Sequence, residues 1–317
     1  MTDAAGGQHY GVGQVDEADV IYGEEKGPTK ASQVGSKLTA WLWALPGVLW
    51  LLFFLVAPVV VIVIFSFFEV SLVGFEAWTW TTENYETIFS SSSTYVDTLI
   101  SVIINAAIVT VVCLVIGYPV AYFLATKIRS QRLSIALFIV ALAPFFTSAL
   151  IRVVAWIPTM GRNGAVNEIL TGIGIIDRPL SWLLFSDFAV IIALTQLLVL
   201  FMVTPIFFQL AAMDKSAIEA ARDLGASQLK VFRHVILPLT RPGILIGSVF
   251  VFVLAMGDFA TYRVIGGGRI GSIGVNIQNA VSQIQYPVAA AQAAVLVVVM
   301  AIGVTVLLRF AKLRERL

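Results

Sequence analysis

The sequence predicts an all-α, polytopic membrane protein with about six transmembrane helices. Its 317 residues are 59% hydrophobic and 12% charged, whereas soluble domains carry about 25% charged residues. Six stretches each hold about 20 mainly apolar residues, the length that a helix needs to cross the hydrocarbon core of a bilayer. These stretches are residues 41–67, 99–126, 133–156, 188–211, 244–264 and 288–309. Residues 38–317 are therefore predicted to form one transmembrane domain.

Residues 1–37 differ in composition from the rest of the chain. They are polar and Gly-rich, with an acidic cluster that includes Asp16, Glu17 and Asp19. Such a segment buries too little apolar surface to offset the entropy of ordering it. It is predicted to be a disordered cytoplasmic tail, and the sequence is consistent with either an inert or a regulatory role.

The basic residues predict the orientation of the spans. Of the 20 Lys and Arg residues, 15 lie in the tail, the second and fourth loops and the C-terminal segment. Because cytoplasmic loops are enriched in Lys and Arg, both termini and the fourth loop, residues 212–241, are predicted to be cytoplasmic. The loop at 69–97, on the opposite side, contains no Lys or Arg.

A second outer segment mixes apolar and polar residues at helical spacing between the third and fourth spans. Residues 151–170 are interrupted by Pro158, Gly161 and Gly164. The pattern predicts a short helix near the outer interface, with Trp156 as an interfacial anchor. A structural collar and a contact with substrate are both compatible with it.

Composition and motifs argue against several classes of function. A net charge of +1 argues against a nucleic-acid partner. With only two histidines, His9 and His234, histidine-based metal centres and catalysis are not expected, and no cofactor is predicted. Cys113 lies in an apolar run and is predicted to be a packed, inert thiol.

Nucleotide binding by this chain is not expected either. Gly266, Gly268 and Gly271 form a G-x-G-x-x-G pattern. However, a dinucleotide site needs a strand before that pattern and a helix after it, and here it lies in an outer turn between two spans. The sequence contains no G-x-x-x-x-G-K-[ST] motif. The energy for any transport must therefore come from another subunit or from an ion gradient.

The fourth loop is organised more strictly than a simple connection needs to be. Ser216 and Glu219 have the spacing of a capping box, which predicts a helix that begins at Ser216. That helix is predicted to run to about Leu224 and to end at Gly225 in the left-handed conformation.

A second short helix is predicted to follow, with Ser227 as its N-cap and its end before Pro238. Neither helix is long enough to be stable alone. The loop is thus predicted to be either an interfacial helix among lipid headgroups or, with its caps and corner, a rigid element on which a partner docks.

Polar residues in or near the spans form a second set of candidates. A charge at the bilayer centre costs about 2.5–3.5 kcal/mol on insertion scales, so such residues usually face a cavity or a partner. Asp258 is predicted to lie deep in the fifth span. It is expected either to line a polar translocation path or to pair with an arginine that ties helices together. The full candidate set is Asp258, Arg152 and Arg263, with Asn105, Gln196 and Thr204 as weaker members, since hydrogen bonds between helices are common in bundles.

The fourth loop resembles the EAA loop of ABC importer permeases. The matching positions are Glu219, Ala220 and Ala221, then Gly225, then Ile236, Leu237 and Pro238, with Val235 where the family has Ile. In that family the loop contains a coupling helix that docks in a groove of the ATPase subunit. The resemblance therefore implies that Ser216, Glu219, Ala220, Ala221, Leu224, Gly225, Leu237 and Pro238 couple this chain to an ATPase.

Two further motifs resemble spermidine/putrescine-type permeases. One comprises Arg152, Ala155, Trp156, the Gly161–Gly164 run and Asn167; the other comprises Gly257, Asp258, Phe259, Thr261, Gly266 and Gly267. Tyr262 departs from the second motif, which commonly has Pro at that position. The departure puts the substrate in question more than the class of transporter.

The resemblance implies a type I ABC importer permease of the bacterial inner membrane, which transmits motion and is not itself an enzyme. It further implies a second permease subunit, forming a heterodimer, two ATPase subunits and an extracytoplasmic substrate-binding protein. A polyamine or a similar small solute is the implied substrate. Two other functions remain open, namely a secondary transporter or channel, and an intramembrane enzyme.

Overall fold

The computed structural model describes residues 43–69, 79–90, 94–128 and 130–313. The predicted tail, residues 1–37, lies outside the described residues. Within them the chain is helical, and Phe68 and Trp80 form an isolated antiparallel bridge. The chain divides into two compact units, Met1–Val59 and Val60–Leu317.

The described part of the first unit is helical. It belongs to span one, Trp43–Phe65, which contains a π-helical turn at Leu52–Val56. Its large side chains are exposed; Trp43, for example, is 83% exposed and Phe53 67% exposed. A helix that is apolar on all sides and long enough to cross a bilayer satisfies its backbone hydrogen bonds internally, as lipid requires.

Among its described residues, the second unit contains four more continuous helices that are long and apolar enough to span a membrane. Spans two, four, five and six are Tyr95–Lys127, Asp187–Ala211, Gln228–Gly257 and Tyr286–Arg309. Together with span one and a bent third span, they agree with the predicted number of about six. The shorter helices of this unit are Glu83–Phe89, Lys215–Asp223, Ala260–Ile265 and Ile273–Ser282.

Span three is bent, so the prediction of one straight helix over residues 133–156 is wrong. Its two parts, Gln131–Phe146 and Ala149–Gly172, meet at an angle of 85°. A 3-10 turn that contains Pro144 ends at Thr147, whose backbone is extended. The Thr147 side chain donates a hydrogen bond to the Pro144 carbonyl at 2.7 Å. The proline has no amide hydrogen, and the Thr147 side chain stabilises the turn in place of a continuing helix.

The second part of span three consists of three short helices. They are Ala149–Val154, Trp156–Met160 and Ala165–Gly172. The sequence predicted a single short helix within residues 151–170, and the structure divides this stretch among three. The Asn167 side chain holds them to the next segment, because it donates to the Gly161 carbonyl and accepts from the Leu180 amide at 2.8 Å.

The core of the second unit is the mutual contact of spans two, four and five. Glycines allow these helices to approach closely, as small residues do in membrane bundles. A Cβ on Gly243 would lie 2.8 Å from the Pro205 carbonyl oxygen, and one on Gly247 would lie 3.1 Å from the Met202 Cα. On span two, a Cβ on Gly117 would lie 3.2 Å from Val203. Span four is therefore packed between glycine-bearing faces of its two neighbours.

The packing at Gly243 predicts that an added methyl group destabilises the bundle. Gly243→Ala forces a methyl group against a backbone oxygen, and such overpacking costs about 1–3 kcal/mol. Gly257→Ala is the matched control in the same helix, because its Cβ meets only the Met300 Cε at 3.6 Å. Thermal unfolding of the detergent-purified protein, followed by size-exclusion chromatography, should show a lower midpoint for Gly243→Ala alone. Equal midpoints for the two variants would contradict the close contact.

Candidate functional site

The first helix of the fourth loop has its N-cap two residues earlier than the capping-box pattern predicts. It spans Lys215–Asp223, and its N-cap is Asp214, whose Oδ1 accepts a hydrogen bond from the Ser216 amide at 2.9 Å. The prediction of Ser216 as N-cap is therefore wrong, and Glu219 lies in the second turn. The Ser216 amide lowers the pKa of the Asp214 carboxyl below its usual value. Asp214 thus stays ionised at neutral pH, and the negative charge suits the helix N-terminus.

Gly225 forms the predicted corner. Its φ is +80°, in the left-handed region that glycine adopts without steric cost. The Gly225 amide donates to the Arg222 carbonyl at 2.8 Å, and the Ala226 amide donates to the Ala221 carbonyl at 3.1 Å. These two bonds define a Schellman motif. No atom lies within 4 Å of a Cβ built at Gly225, so the backbone conformation alone explains why glycine is needed there.

The second helix of the loop continues into span five, which the sequence did not predict. Ser227 is its N-cap, as expected, and accepts from the Lys230 amide at 3.5 Å. The helix does not end before Pro238. It passes through a π-helical turn, Phe232–Ile236, into the long helix Leu237–Gly257. The wider π turn accommodates a proline that has no amide hydrogen and whose ring would clash with a carbonyl in a regular α-helix.

This continuity makes the loop a helical extension of span five. One face of the loop packs onto the bundle through Ile218, Ala221 and Ala226, which are partly buried against the apolar core. The other face is open, since Leu224 is 88% exposed and Leu229 75% exposed. Glu219 and Ala220 are exposed beside them. The term docking face is used below for the exposed surface formed by Glu219, Ala220, Leu224 and Leu229.

Asp258 is not deep inside span five, so that part of the prediction is wrong. It follows the last residue of the helix Leu237–Gly257. Its Oδ1 accepts from the Thr261 amide at 2.8 Å, and its carbonyl accepts from the Ser272 hydroxyl at 3.1 Å. Within the part of the chain that the structure describes, Asp258 has no arginine partner. The carboxylate instead caps the start of the short helix Ala260–Ile265.

Two other polar candidates form hydrogen bonds with residues of other helices. Asn105 donates to the Asp187 carboxylate at 2.9 Å and so links span two to the start of span four. Arg263 donates to the Asn279 side-chain oxygen at 3.2 Å. The sequence analysis missed both partners. Asp187 was recognisable from the sequence as the first residue of a helix, because it directly follows Ser186, the N-cap of span four.

Arg152 and Gln196 take part in neither of these two hydrogen bonds. The Arg152 guanidinium lies over the Phe145 ring, 5.9 Å from its centroid, at a distance typical of a cation–π contact. Gln196 is exposed on span four. Thr204 donates to the Leu200 carbonyl of its own helix at 2.8 Å, which is the usual arrangement of Thr within a helix.

Spans three, four and five also line an open apolar cavity of about 370 Å³. Its walls are Leu142, Phe145, Leu200, Phe201, Thr204, Pro205, Phe208 and Phe250. Such a lining suits an acyl chain or an apolar side chain better than a polar solute. This cavity therefore does not provide a polar path through the chain.

Comparison with known proteins identifies the family. Residues 115–316 match the family described as binding-protein-dependent transport system inner membrane component. The chain belongs to this family. The spermidine/putrescine transport system permease protein PotB of Haemophilus influenzae is 36% identical to it over 84% of this chain and 92% of that protein. The PotB protein of Escherichia coli is 36% identical over 84% of this chain and 96% of that protein.

Solved structures give the same fold for this inner membrane component. A bacterial ABC transporter that imports the acidic polysaccharide alginate matches with a TM-score of 0.61 at 18% identity, over 89% of this chain and 98% of that one. A second structure of an alginate ABC transporter, in complex with an alginate pentasaccharide-bound periplasmic protein, matches with a TM-score of 0.58 at 18% identity, over 88% and 94% of the two chains.

The predicted class is thereby confirmed. The chain is a multi-pass permease component of a binding-protein-dependent ABC importer in the bacterial inner membrane. A secondary transporter or channel that works without ATP is no longer a competing explanation.

Proposed function

We propose that this permease subunit couples to an ATPase through the docking face of its cytoplasmic loop and forms half of a translocation path for a polyamine or a similar small organic cation. The observation that carries the proposal is the geometry of the loop. A glycine corner fixes its two short helices, a π-helical turn joins them to span five, and Leu224 stands exposed at the tip.

A rigid loop is what mechanical coupling requires. ATP binding and hydrolysis move the ATPase subunits, and the permease responds only if the loop passes that displacement on to the spans. An equilibrium between two arrangements of a helix bundle can be biased by a partner that contacts the two states differently. We assign the coupling role to Ser216, Glu219, Ala220, Ala221, Leu224, Gly225, Leu237 and Pro238.

The complete importer contains partners besides this chain. One permease subunit encloses only part of a path, so a second permease subunit, forming a heterodimer, supplies the other half. Two ATPase subunits hydrolyse ATP, for which this chain has no P-loop. An extracytoplasmic binding protein delivers the solute, in keeping with the family description.

The translocation path is proposed to run along the interface between the two permease subunits. Gln196, exposed on span four, is the candidate that faces away from the bundle. Asn105, Asp258, Arg152 and Arg263 belong to the outer part of the path. In this proposal Asp258 acts through its cap, because it holds in place the short helix that carries Arg263.

Two features support a cationic substrate. The relatives with 36% identity are named as spermidine/putrescine permeases. In addition, the outer segment 69–97 carries five acidic residues and no basic ones, and Glu83 and Glu86 are exposed on its helix. A surface of one sign raises the local concentration of an oppositely charged ligand, which favours organic cations over anions.

The proposed orientation places both termini and the docking face in the cytoplasm. Gln228→Cys lies in the loop and Thr87→Cys on the outer helix, and both positions are exposed. The native Cys113 is fully buried and contributes little background. A membrane-impermeant maleimide added to intact cells should label Thr87→Cys, whereas Gln228→Cys should react only after the membrane is permeabilised. Labelling of both in intact cells would exclude this topology.

The Gly225 corner gives the sharpest test of coupling. A residue with a Cβ pays about 1–2 kcal/mol for a left-handed conformation, and a β-branched residue fares worse. That strain is local, so Gly225→Val should still insert into the membrane. We expect it to retain the ATPase subunits poorly on affinity purification and to lose most ATP-dependent uptake of radiolabelled spermidine.

Gly225→Asn is the matched control, because Asn tolerates the left-handed region better than other residues with a side chain. It should keep most ATPase association and most uptake. If Gly225→Val behaves like the wild type in both measurements, the loop is not the coupling element. If the wild-type complex retains its ATPase subunits but takes up no spermidine, the substrate assignment is wrong and the coupling assignment stands.

A further inference from the structure

Phe232 lies between two tyrosines of span two. Its ring is 5.8 Å from the ring centroid of Tyr118 and 5.8 Å from that of Tyr122, with interplanar angles of 87° and 89°. These are edge-to-face arrangements, the favourable geometry for aromatic pairs. Because Tyr118 and Tyr122 are four residues apart, they lie on one face of the helix. Phe232 therefore fits between two neighbouring rings of another span.

Phe232 occupies a special place in its own chain segment. It is the first residue of the π-helical turn that joins the cytoplasmic loop to span five. On the far side of that turn, the Thr240 hydroxyl forms a hydrogen bond of 3.1 Å with the Tyr118 hydroxyl. Thr240 is fully buried. Span two therefore contacts this segment at the first residue of the segment's π turn and again at Thr240, beyond the turn.

Span two has a π turn of its own at the same level. It covers Phe123–Lys127 and begins directly after Tyr122. A π turn interrupts the regular hydrogen-bond ladder, and such interruptions are where helices bend. The aromatic contacts of Phe232 therefore bridge the two points at which the cytoplasmic ends of these helices are easiest to deform.

We propose that Phe232 is a positioning residue for energy coupling: it links the cytoplasmic loop to span two, so that a displacement of the docking face moves spans two and five together. The inference rests on the proposed coupling role of the loop and deepens it. Span five follows the loop through the continuous chain. Span two has no such covalent connection to the loop. The side-chain contacts of Phe232 provide a non-covalent connection instead.

The alternative is that the π turn of span five absorbs the displacement. A helix that can widen or tighten at one turn needs little energy to change its direction there. The Phe232 ring restrains that change, because any tilt of the loop would pull an aromatic ring out of its place between two others. Removing the ring should leave the loop's shape and the docking face intact but loosen their connection to span two.

The test compares Phe232→Ala with Phe123→Ala. Phe123 is the matched control, since it is an exposed aromatic residue directly after Tyr122 and at the start of the π turn of span two. Each variant is assembled with its partner subunits and binding protein in liposomes, and ATP hydrolysis and spermidine uptake are measured together. For Phe232→Ala we expect an intact complex that still hydrolyses ATP but imports about fivefold less spermidine per ATP, the size of effect that two lost aromatic contacts can have on an equilibrium. Phe123→Ala should keep the wild-type ratio.

A second readout does not depend on the substrate. Ile104→Cys lies exposed on span two, far along the helix from Tyr118, and its reactivity with a maleimide is compared between nucleotide-free and vanadate-trapped complexes. The difference present with Phe232 in place should disappear in Phe232→Ala. Phe232→Leu, which retains apolar bulk without a ring, serves if the alanine variant does not accumulate, and should show the same loss.

Three results would overturn the link. The first is an unchanged ratio of spermidine to ATP in an intact Phe232→Ala complex. The second is an unchanged nucleotide response at Ile104→Cys. The third is loss of the ATPase subunits from Phe232→Ala, since Phe232 would then shape the docking face itself. A wild-type complex without any ATPase subunit would instead remove the proposed function on which the link rests.

Discussion

The close crossing of spans four and five is the constraint on which the other features of the structure depend. At Gly243 and Gly247 the backbone of span five approaches that of span four so closely that no side chain fits between them. Lipid offers helices little hydrophobic driving force for association, so close packing and hydrogen bonds must hold a bundle together. This contact fixes the direction of span five, and the fourth loop, as a continuation of the same helix, takes its direction from it.

The loop and the bundle are thus mechanically one piece at this end of the molecule. The Schellman corner at Gly225 sets the angle between the two short helices, and the π turn that begins at Phe232 carries the chain past Pro238 without a break. Apolar residues on the inner face anchor the loop, while Leu224 remains in solvent. In the proposed function, the ATPase subunit covers this exposed leucine.

The sequence predicted those features that local signals encode. Span number follows from apolar length, and the corner at Gly225 follows from a cap-type pattern that strongly favours glycine. The register of the loop helix did not follow, because Asp214 and Ser216 are both good N-caps and packing of the helix decides between them. The bend at Thr147 and the passage through Pro238 depend on turn geometry that an apolar pattern conceals. The Asn105–Asp187 contact joins residues 82 positions apart, beyond the reach of any local pattern.

The central claim is that the docking face contacts the ATPase subunit. The reactivity of a cysteine in place of Leu224 tests this claim most directly. Leu224→Cys places a thiol at an 88% exposed position, whereas the native Cys113 is fully buried. Its rate of reaction with a water-soluble maleimide is measured for the purified permease subunit and again for the assembled complex. We expect rapid reaction in the isolated subunit and strong protection after assembly. An equal rate in both would show that the tip of the loop stays in solvent and does not contact the ATPase subunit.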